Sequence, residues 1–377
     1  MVLKDKFKEL NKLKKYGSGD LSKKESSAQV NKKSFDTKRI ILCRLGGIGD
    51  VIHTLPLVKY LRKKYSKASI EYITSENIAR LLTDSCPYID KVWTLNRRGK
   101  DKLKNSLLNE SRKVDYFFNL HSSLSFFFFN LFYMRARKYF RYRKNRSVHA
   151  VVNFAKTYEP AVSAFDLDSK TVEVHNTDEI LQRYNLSKGK YVCFVPGVGS
   201  VRPYRAWPFE NWLSLAKEFL NFEEDCKVVF LGGESEQGLL ERWHPTKGGI
   251  STYTSDVQNS VPGLGERAIN LTGKLNLSDV SKIISSNAYL VSCDTGLLHL
   301  AAALSVKVIG LYGPTLPKRS GPFSSDYVVL TAKNCQCISN NRDIKRCKKT
   351  MGLPGYCMNS LSVDEVLSNI SSNFVRN

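Results

Sequence analysis

The chain has 377 residues, with 58 Lys and Arg against 35 Asp and Glu, a formal net charge of +23 and a hydrophobic fraction of 42%. Those values exclude a wholly disordered chain, a collagen-like chain and a small disulfide scaffold. The length suits two domains, each large enough to bury a core.

The charge is not spread evenly. It concentrates in residues 1–40, 97–113, 134–146 and 333–349 and leaves the rest of the chain close to neutral. Basic blocks on an ordinary body point to an anionic partner: nucleic acid, an acidic membrane surface or an acidic substrate. Solvated surface loops are the plain alternative.

Residues 1–36 read as a polar basic extension or linker. An apolar helical face (Leu3, Phe7, Leu10, Leu13) at its start precedes a Gly/Ser/Lys stretch. There is no apolar run of the length a secretory signal needs. The globular pattern begins at residues 39–45 (RIILCRL), a short apolar run ending in Gly46-Gly47-Ile48-Gly49, which predicts a buried strand meeting a tight turn. Residues 50–65 carry helical periodicity. Further strands are predicted at 69–74, 91–95 and 116–120.

The apolar block 124–134 (LSFFFFNLFYM) is too short to span a membrane. A basic run follows it at once. The pair could rest on an anionic leaflet, or Phe126–Phe129 could form one buried face of a core helix with the basic run as its exit loop; the two readings are compatible.

The strand–helix pattern then restarts. Strands are predicted at 191–195, 227–231, 288–292 and 306–311, each ending in a Gly-containing turn, and helices at 209–220 and 363–374. Strands alternating with helices indicate α/β units with parallel sheets. The expected organisation is an extension (1–36), a first domain (37–182), a second domain with a Cys-containing tail (188–362) and a C-terminal helical segment (363–377).

There are nine cysteines, an odd number. Five sit in apparent core segments, which fits reduced thiols in a cytosolic protein. Cys335, Cys337, Cys347 and Cys357 cluster near the C-terminus. Their spacing is not a standard zinc pattern, so a structural metal, disulfides and a plain Cys-rich loop all stay open.

In open parallel sheets, ligands bind outside the carboxyl ends of strands. The turn at 44–51 (RLGGIGDV) lacks the third glycine of a dinucleotide fingerprint. Its Asp50 is either a plain helix N-cap or a general base aimed into a cleft. The stretch 196–208 (PGVGSVRPYRAWP) offers backbone N–H groups, a hydroxyl and Arg202 and Arg205, a set suited to a diphosphate. Glu234 or Glu236 in 231–236 (LGGESE) could accept from ribose hydroxyls. Asp294-Thr295-Gly296 caps a helix, and His299 follows one turn later, making an anion pocket with an imidazole nearby.

Taken in order, these stretches resemble glycosyltransferase family 9, the ADP-heptose:lipopolysaccharide heptosyltransferases. The matching pieces are RLGGIGDVIHTLPLVKYLRKKY, PGVGSVRPYRAWPFENW, FLGGESE, INLTGKLNLSDV and SCDTGLLHLAAALSVKVIGLYGPTLP, with residues 175–181 matching a stretch before the second domain. The resemblance covers about residues 38–365.

It implies the GT-B fold, two Rossmann-like domains facing a central cleft, and inverting, metal-independent transfer with no cofactor. The donor implied is ADP-heptose and the acceptor an acidic glycolipid of the lipopolysaccharide-core type. Asp50 corresponds to the family's catalytic base. Ser200, Arg205, Glu234, Asp294, Thr295, Gly296 and His299 fall on the donor side, and Gly47, His53, Arg135, Arg137 and Arg141 on the acceptor side. The implied location is cytoplasmic, peripheral on the inner face of the cytoplasmic membrane. Arg205 replaces the family's usual Lys, and residues 122–129 depart from the Arg-Ser that relatives often carry. The competing readings are a basic nucleic-acid-binding α/β protein and a sugar-nucleotide-binding relative without transfer activity.

Overall fold

The computed structural model describes residues 38–95, 113–199, 202–236, 259–261, 263–333 and 356–374. Ser200, Cys335, Cys337 and Cys347 lie outside the described residues.

The apolar run after Lys38 becomes β1 (Arg39–Cys43), with all five residues buried. It is the centre of a five-stranded parallel sheet with β2 (Ser69–Thr74), β3 (Lys91–Thr94), β4 (Tyr116–Asn119) and β5 (Lys138–Arg141), in the order β3-β2-β1-β4-β5. A near-continuous apolar strand is what burial on both faces requires.

The region expected as one helix over 50–65 is two: α1 (Ile48–Ile52) and α2 (Leu55–Lys64). Pro56 lies in the first turn of α2 and has no N–H to continue the ladder, so the helix restarts at Thr54. The third helix is α3 (Glu76–Ser85). The aromatic block forms α4 (Leu124–Phe129), which runs directly into a π-helical turn, Asn130–Met134. The basic run expected as an exit loop contains β5, an edge strand whose Tyr139 and Phe140 are half-buried while Lys138 and Arg141 face water.

The second sheet has seven strands: β6 (Tyr191–Val195), β7 (Lys227–Phe230), β8 (Ser260–Val261), β9 (Gly265–Asn270), β10 (Tyr289–Cys293), β11 (Val308–Tyr312) and β12 (Tyr327–Thr331). Their order is β12-β11-β10-β6-β7-β9-β8, parallel except for the β8–β9 pair. In both sheets the strand order reverses beside the first strand, the topological switch point where a ligand crevice opens.

The helices that complete the structure are α5 (Ala150–Ala155), α6 (Asp178–Arg183), α7 (Phe209–Phe222), α8 (Leu277–Ser286), α9 (Gly296–Ala303), α10 (Pro317–Ser320) and α11 (Val363–Phe374). Helix α11 lies against α7, with Val366 and Ile370 fully buried in the core of the second sheet. Trp207 Nε1 donates to Leu361 O at 2.9 Å and fixes that approach.

The two sheets share apolar packing. One cluster runs from Ile40 and Val58 beside the first sheet to Leu290 and Leu298 beside the second. Backbone bonds from Thr171 and Val172 N–H to Ala303 O, and from Glu173 N–H to Ser85 O, tie the connecting segment across the junction. Cys43, Cys86, Cys193, Cys226 and Cys293 are buried and form no disulfide. Burial pushes the thiols of Cys86, Cys193 and Cys293 up to about 12, which makes them inert.

Candidate active site

The carboxyl ends of β1 and β10 open onto one cleft of about 1050 Å³. Its walls come from both sheets. From the first come Gly47, Asp50 and His53; from the second come Arg205, Thr295, Gly296 and His299, with Asp294.

The two halves meet at glycines. A Cβ on Gly49 would lie 2.7 Å from His299 Cδ2, and one on Gly296 would lie 2.8 Å from Ile48 Cβ. Any side chain at either position would force the first turns of α1 and α9 apart.

Asp50 is not the N-cap of α1. Gly47 holds that position, without a side-chain cap, and Asp50 sits in the first turn. Its Oδ2 lies 2.8 Å from an Arg44 Nη atom, and its side chain is 55% exposed toward the cleft. Arg44 is itself fixed by an Nη1 bond to Leu120 O at 2.9 Å and by the Phe154 ring. The carboxylate is therefore held in place on one side and open on the other.

On the opposite wall, Asp294 is buried at the end of β10. Arg205 Nη1 lies 2.9 Å from Asp294 Oδ2 and donates to Asp294 O at 3.0 Å. His299 Nε2 lies 3.3 Å from Oδ1. Burial by itself would favour the neutral acid, but the His299 hydrogen bond and the Arg205 charge outweigh it and hold Asp294 below the usual carboxylate range. Thr295 Oγ1 caps α9 by accepting from Leu298 N–H at 3.4 Å. The other N–H groups of that first turn have no intrahelical partner, which suits an anion.

Three imidazoles line the junction. His53 and His299 have ring centroids 4.2 Å apart, and His53 and His149 5.9 Å. Burial, then the neighbouring His299, His149 and Arg44, push His53 well below its ordinary 6.5. His149 Nδ1 accepts from Val151 N–H at 3.3 Å, so its Nε2 carries the proton donated to Gly321 O at 3.2 Å. That bond joins the two halves. Burial and the nearby His299 outweigh the Gly321 bond and lower its pKa too.

Of the two glutamates in 231–236, the structure brings Glu236 to the cleft. It accepts from Gly233 N–H at 2.7 Å and Gly199 N–H at 3.1 Å. Gly197 must lack a side chain, because a Cβ there would fall 1.9 Å from Glu236 Cγ. Glu234 is exposed and is not among the lining residues.

Arg135, Arg137 and Arg141 do not line the cleft either. Arg137 pairs with Asp115 at 3.3 Å, and Arg141 donates to Ser122 O at 3.3 Å. The far end of the same basic run does reach the cleft, through Lys144 and Arg146. Burial lowers the Lys144 pKa, helped by the positive charges of Arg319, Arg146 and Arg202. Sequence reasoning assigned no role to Arg44, His149 or Arg319, and took Lys144 and Arg146 only as part of the basic run beside the aromatic block. Arg44 stood inside the first motif, but nothing in the spacing marked it as the partner of Asp50.

Among the described residues, no group of three or more His, Cys, Asp or Glu side chains could hold a metal ion, and no helix is long and apolar enough to cross a membrane.

Two facing parallel sheets with a cleft at their carboxyl ends define the GT-B class. The glycosyl transferase family 9 structure from Veillonella parvula superposes with a TM-score of 0.69 at 21% identity, over 92% of this chain and all of that one. The ADP-heptose lps heptosyltransferase II of Escherichia coli gives 0.68 at 19%, over 90% and 99%. A family model described as "Glycosyltransferase family 9 (heptosyltransferase)" matches residues 131–351, more than half of the chain. The chain belongs to glycosyltransferase family 9. Among curated relatives, the lipooligosaccharide heptosyltransferase 2 of Haemophilus influenzae is 26% identical over 166 residues, 42% of this chain and 43% of that protein. The match thus spans less than half the length of that relative.

Proposed function

We propose that the protein is an inverting, metal-independent glycosyltransferase that moves a heptose from ADP-heptose onto an acidic glycolipid of the lipopolysaccharide-core type. The observation that carries this reading is the opposition of Asp50, held and open on one wall, to the Arg205–Asp294–His299 set and the start of α9 on the other.

In this reading, Asp50 takes the proton of an acceptor hydroxyl. The freed oxygen attacks the anomeric carbon, and the bond from that carbon to the diphosphate oxygen breaks with inversion. The departing charge is met by Arg205 and by the N–H groups of the first turn of α9. Electrostatic stabilisation of this kind is usually the largest single contribution to such a step. Glu236, oriented by two backbone N–H groups, is the candidate for the ribose contact. The acceptor stands on the side of Gly47, His53, Lys144 and Arg146, where cations suit an acidic group. The enzyme works at the inner face of the cytoplasmic membrane, where such a lipid is presented.

The test is a panel of ADP-, UDP- and GDP-sugars screened for thermal stabilisation, followed by product detection. A ligand at a hundred times its Kd stabilises by about 2.7 kcal/mol. Stabilisation by ADP-heptose, with a transferred product, is expected. Stabilisation by UDP- or GDP-sugars alone would remove the donor assignment, and binding without product would leave an inactive relative.

A further inference from the structure

Helix α4 and the π turn that follows it are apolar on two faces. The inner face, Phe126, Phe129 and Met134, packs against Ile41, Ile73 and Phe117 of the first sheet. The outer face carries Leu124, Phe127, Phe128, Leu131 and Phe132, at the i, i+3, i+4, i+7, i+8 spacing of a helical stripe, with Tyr133 beside them. These six side chains are between 37% and 61% exposed. Large apolar side chains clustered this densely in water mark a docking surface rather than the usual scatter of exposed hydrophobics.

The stripe is built rigidly. Ser123 Oγ caps the helix by accepting from Phe126 N–H at 3.3 Å. Arg135 closes it in the left-handed conformation, and its N–H donates to Asn130 O at 2.7 Å. The rings of Phe128 and Phe132 stack at 6.2 Å, and Phe127 leans on Tyr139.

Its surroundings are predominantly basic, with Asp115 paired to Arg137 at 3.3 Å. Arg135, Arg137, Lys138, Arg141 and Arg143 are exposed along and beyond the end of the helix. No acidic residue occurs between Asp115 and Glu159.

We infer that this aromatic stripe enters the headgroup region of an anionic lipid leaflet, with the basic run seated on the phosphates. Aromatic rings on one face beside a polybasic segment are the chemistry of interfacial membrane binding. A second copy of the chain is a poorer occupant: pairing this face with itself across a two-fold axis would bring two like-charged runs together. The inference deepens the proposed function, on which it rests for the lipid nature of the acceptor. It assigns the arginines that do not line the cleft to the leaflet.

The experiment is flotation of the full chain with vesicles of phosphatidylcholine, with and without phosphatidylglycerol, comparing the wild type with Phe128→Ser/Phe132→Ser. The wild type is expected to float with the anionic vesicles and to come off as salt rises. The double variant should lose roughly tenfold or more in partitioning for each phenylalanine. Its Tm and its transfer to a water-soluble, deacylated acceptor should match the wild type. Wild-type protein that ignores anionic vesicles overturns the inference. So does unchanged flotation of the variant; if its Tm also falls, the chain itself covers the face. A wild-type dimer that the variant dissociates without lipid overturns it in favour of self-association. Failure of the enzymatic reading is separate: normal flotation with no transfer from any nucleotide sugar removes the activity and leaves the surface standing.

Discussion

Arg205 and Asp294 form a 2.9 Å ion pair that joins the turn before α7 to the end of β10. Both side chains are largely withdrawn from water, so the pair is screened less than a surface bridge. Arg205 Nε is also buried without a hydrogen-bond partner. A guanidinium held along one edge keeps its remaining N–H groups in a fixed plane, the geometry that the proposed diphosphate contact needs.

Arg205→Ala should weaken donor binding and lower the rate together, by roughly 10²–10³ in kcat/KM. It should also destabilise the fold, because Asp294 is left buried with His299 as its remaining ionisable partner. Arg205→Lys keeps the charge but loses the fork and should fall between the two. Isothermal titration with ADP beside steady-state kinetics separates these outcomes. An unchanged donor affinity in the alanine variant would remove the phosphate contact.

Asp50→Asn removes the proposed base while keeping the shape. A loss of about 10²–10⁴ in kcat is expected. ADP affinity should not change. Stability should move by less than about 1 kcal/mol, because the Arg44 pair is more than half exposed on the Asp50 side. Weaker ADP binding at near-normal turnover would rule out the assigned role.

The imidazoles at the junction predict a pH effect with a definite sign. His53 and His149 are held below their ordinary 6.5 in the folded chain, His53 by burial and by facing His299, His149 and Arg44. Once unfolded they protonate near that ordinary value. The unfolded chain then binds more protons, so stability falls as pH drops below about 6.5 toward the lowered folded values. Asp294 adds a second loss only below its ordinary 3.8. Melting curves between about pH 7.5 and about pH 5 measure the first window. His53→Phe, which cannot titrate, should flatten the curve; an equally steep one would place the effect elsewhere.

Gly49→Ala sets a methyl 2.7 Å from His299 Cδ2. Overpacking of this kind costs about 1–3 kcal/mol. The halves would be pushed apart at the point where Asp50 faces the wall that carries Asp294 and His299. Misplacement by about an ångström can cost roughly a hundredfold in rate. Circular dichroism should stay native while kcat drops.

Far from the cleft, Arg39 and Glu71 form a 2.6 Å pair inside the first sheet, and Trp93 Nε1 also donates to Glu71 at 2.7 Å. Glu71→Ala removes the Arg39 pair and the Trp93 bond from a buried site, and about 3 kcal/mol of stability should go with them. Denaturant melts check this. Activity per folded molecule should hold.

The strands ending in glycine turns were legible because burial on both faces writes an unbroken apolar run, as in residues 39–43 and 191–195. β5 was not, because Lys138 and Arg141 at an edge read as solvated loop. β9 was hidden by its Gly-Glu-Arg start. In the site, Asp50, Asp294, Thr295 and His299 were visible because their chemistry sits at strand ends. His149 and Gly321 were not: they are 172 positions apart, and only the packing of one half on the other brings them together. The same holds for Lys144 and Arg319, which face one cleft from separate sheets.

The cleft's own carboxylates are already engaged: Asp50 by Arg44, Asp294 by Arg205 and His299, Glu236 by two backbone amides. Lys144, Arg146, Arg202 and Arg319 crowd the same space from opposite sides. These like charges oppose one another across the gap, while the shared apolar cluster, the backbone bonds to Ala303 and the glycine contact join the halves. A nucleotide diphosphate entering there would serve as mortar. It would offset the opposition of those like charges, so the tightness of the molecule itself would follow the supply of nucleotide.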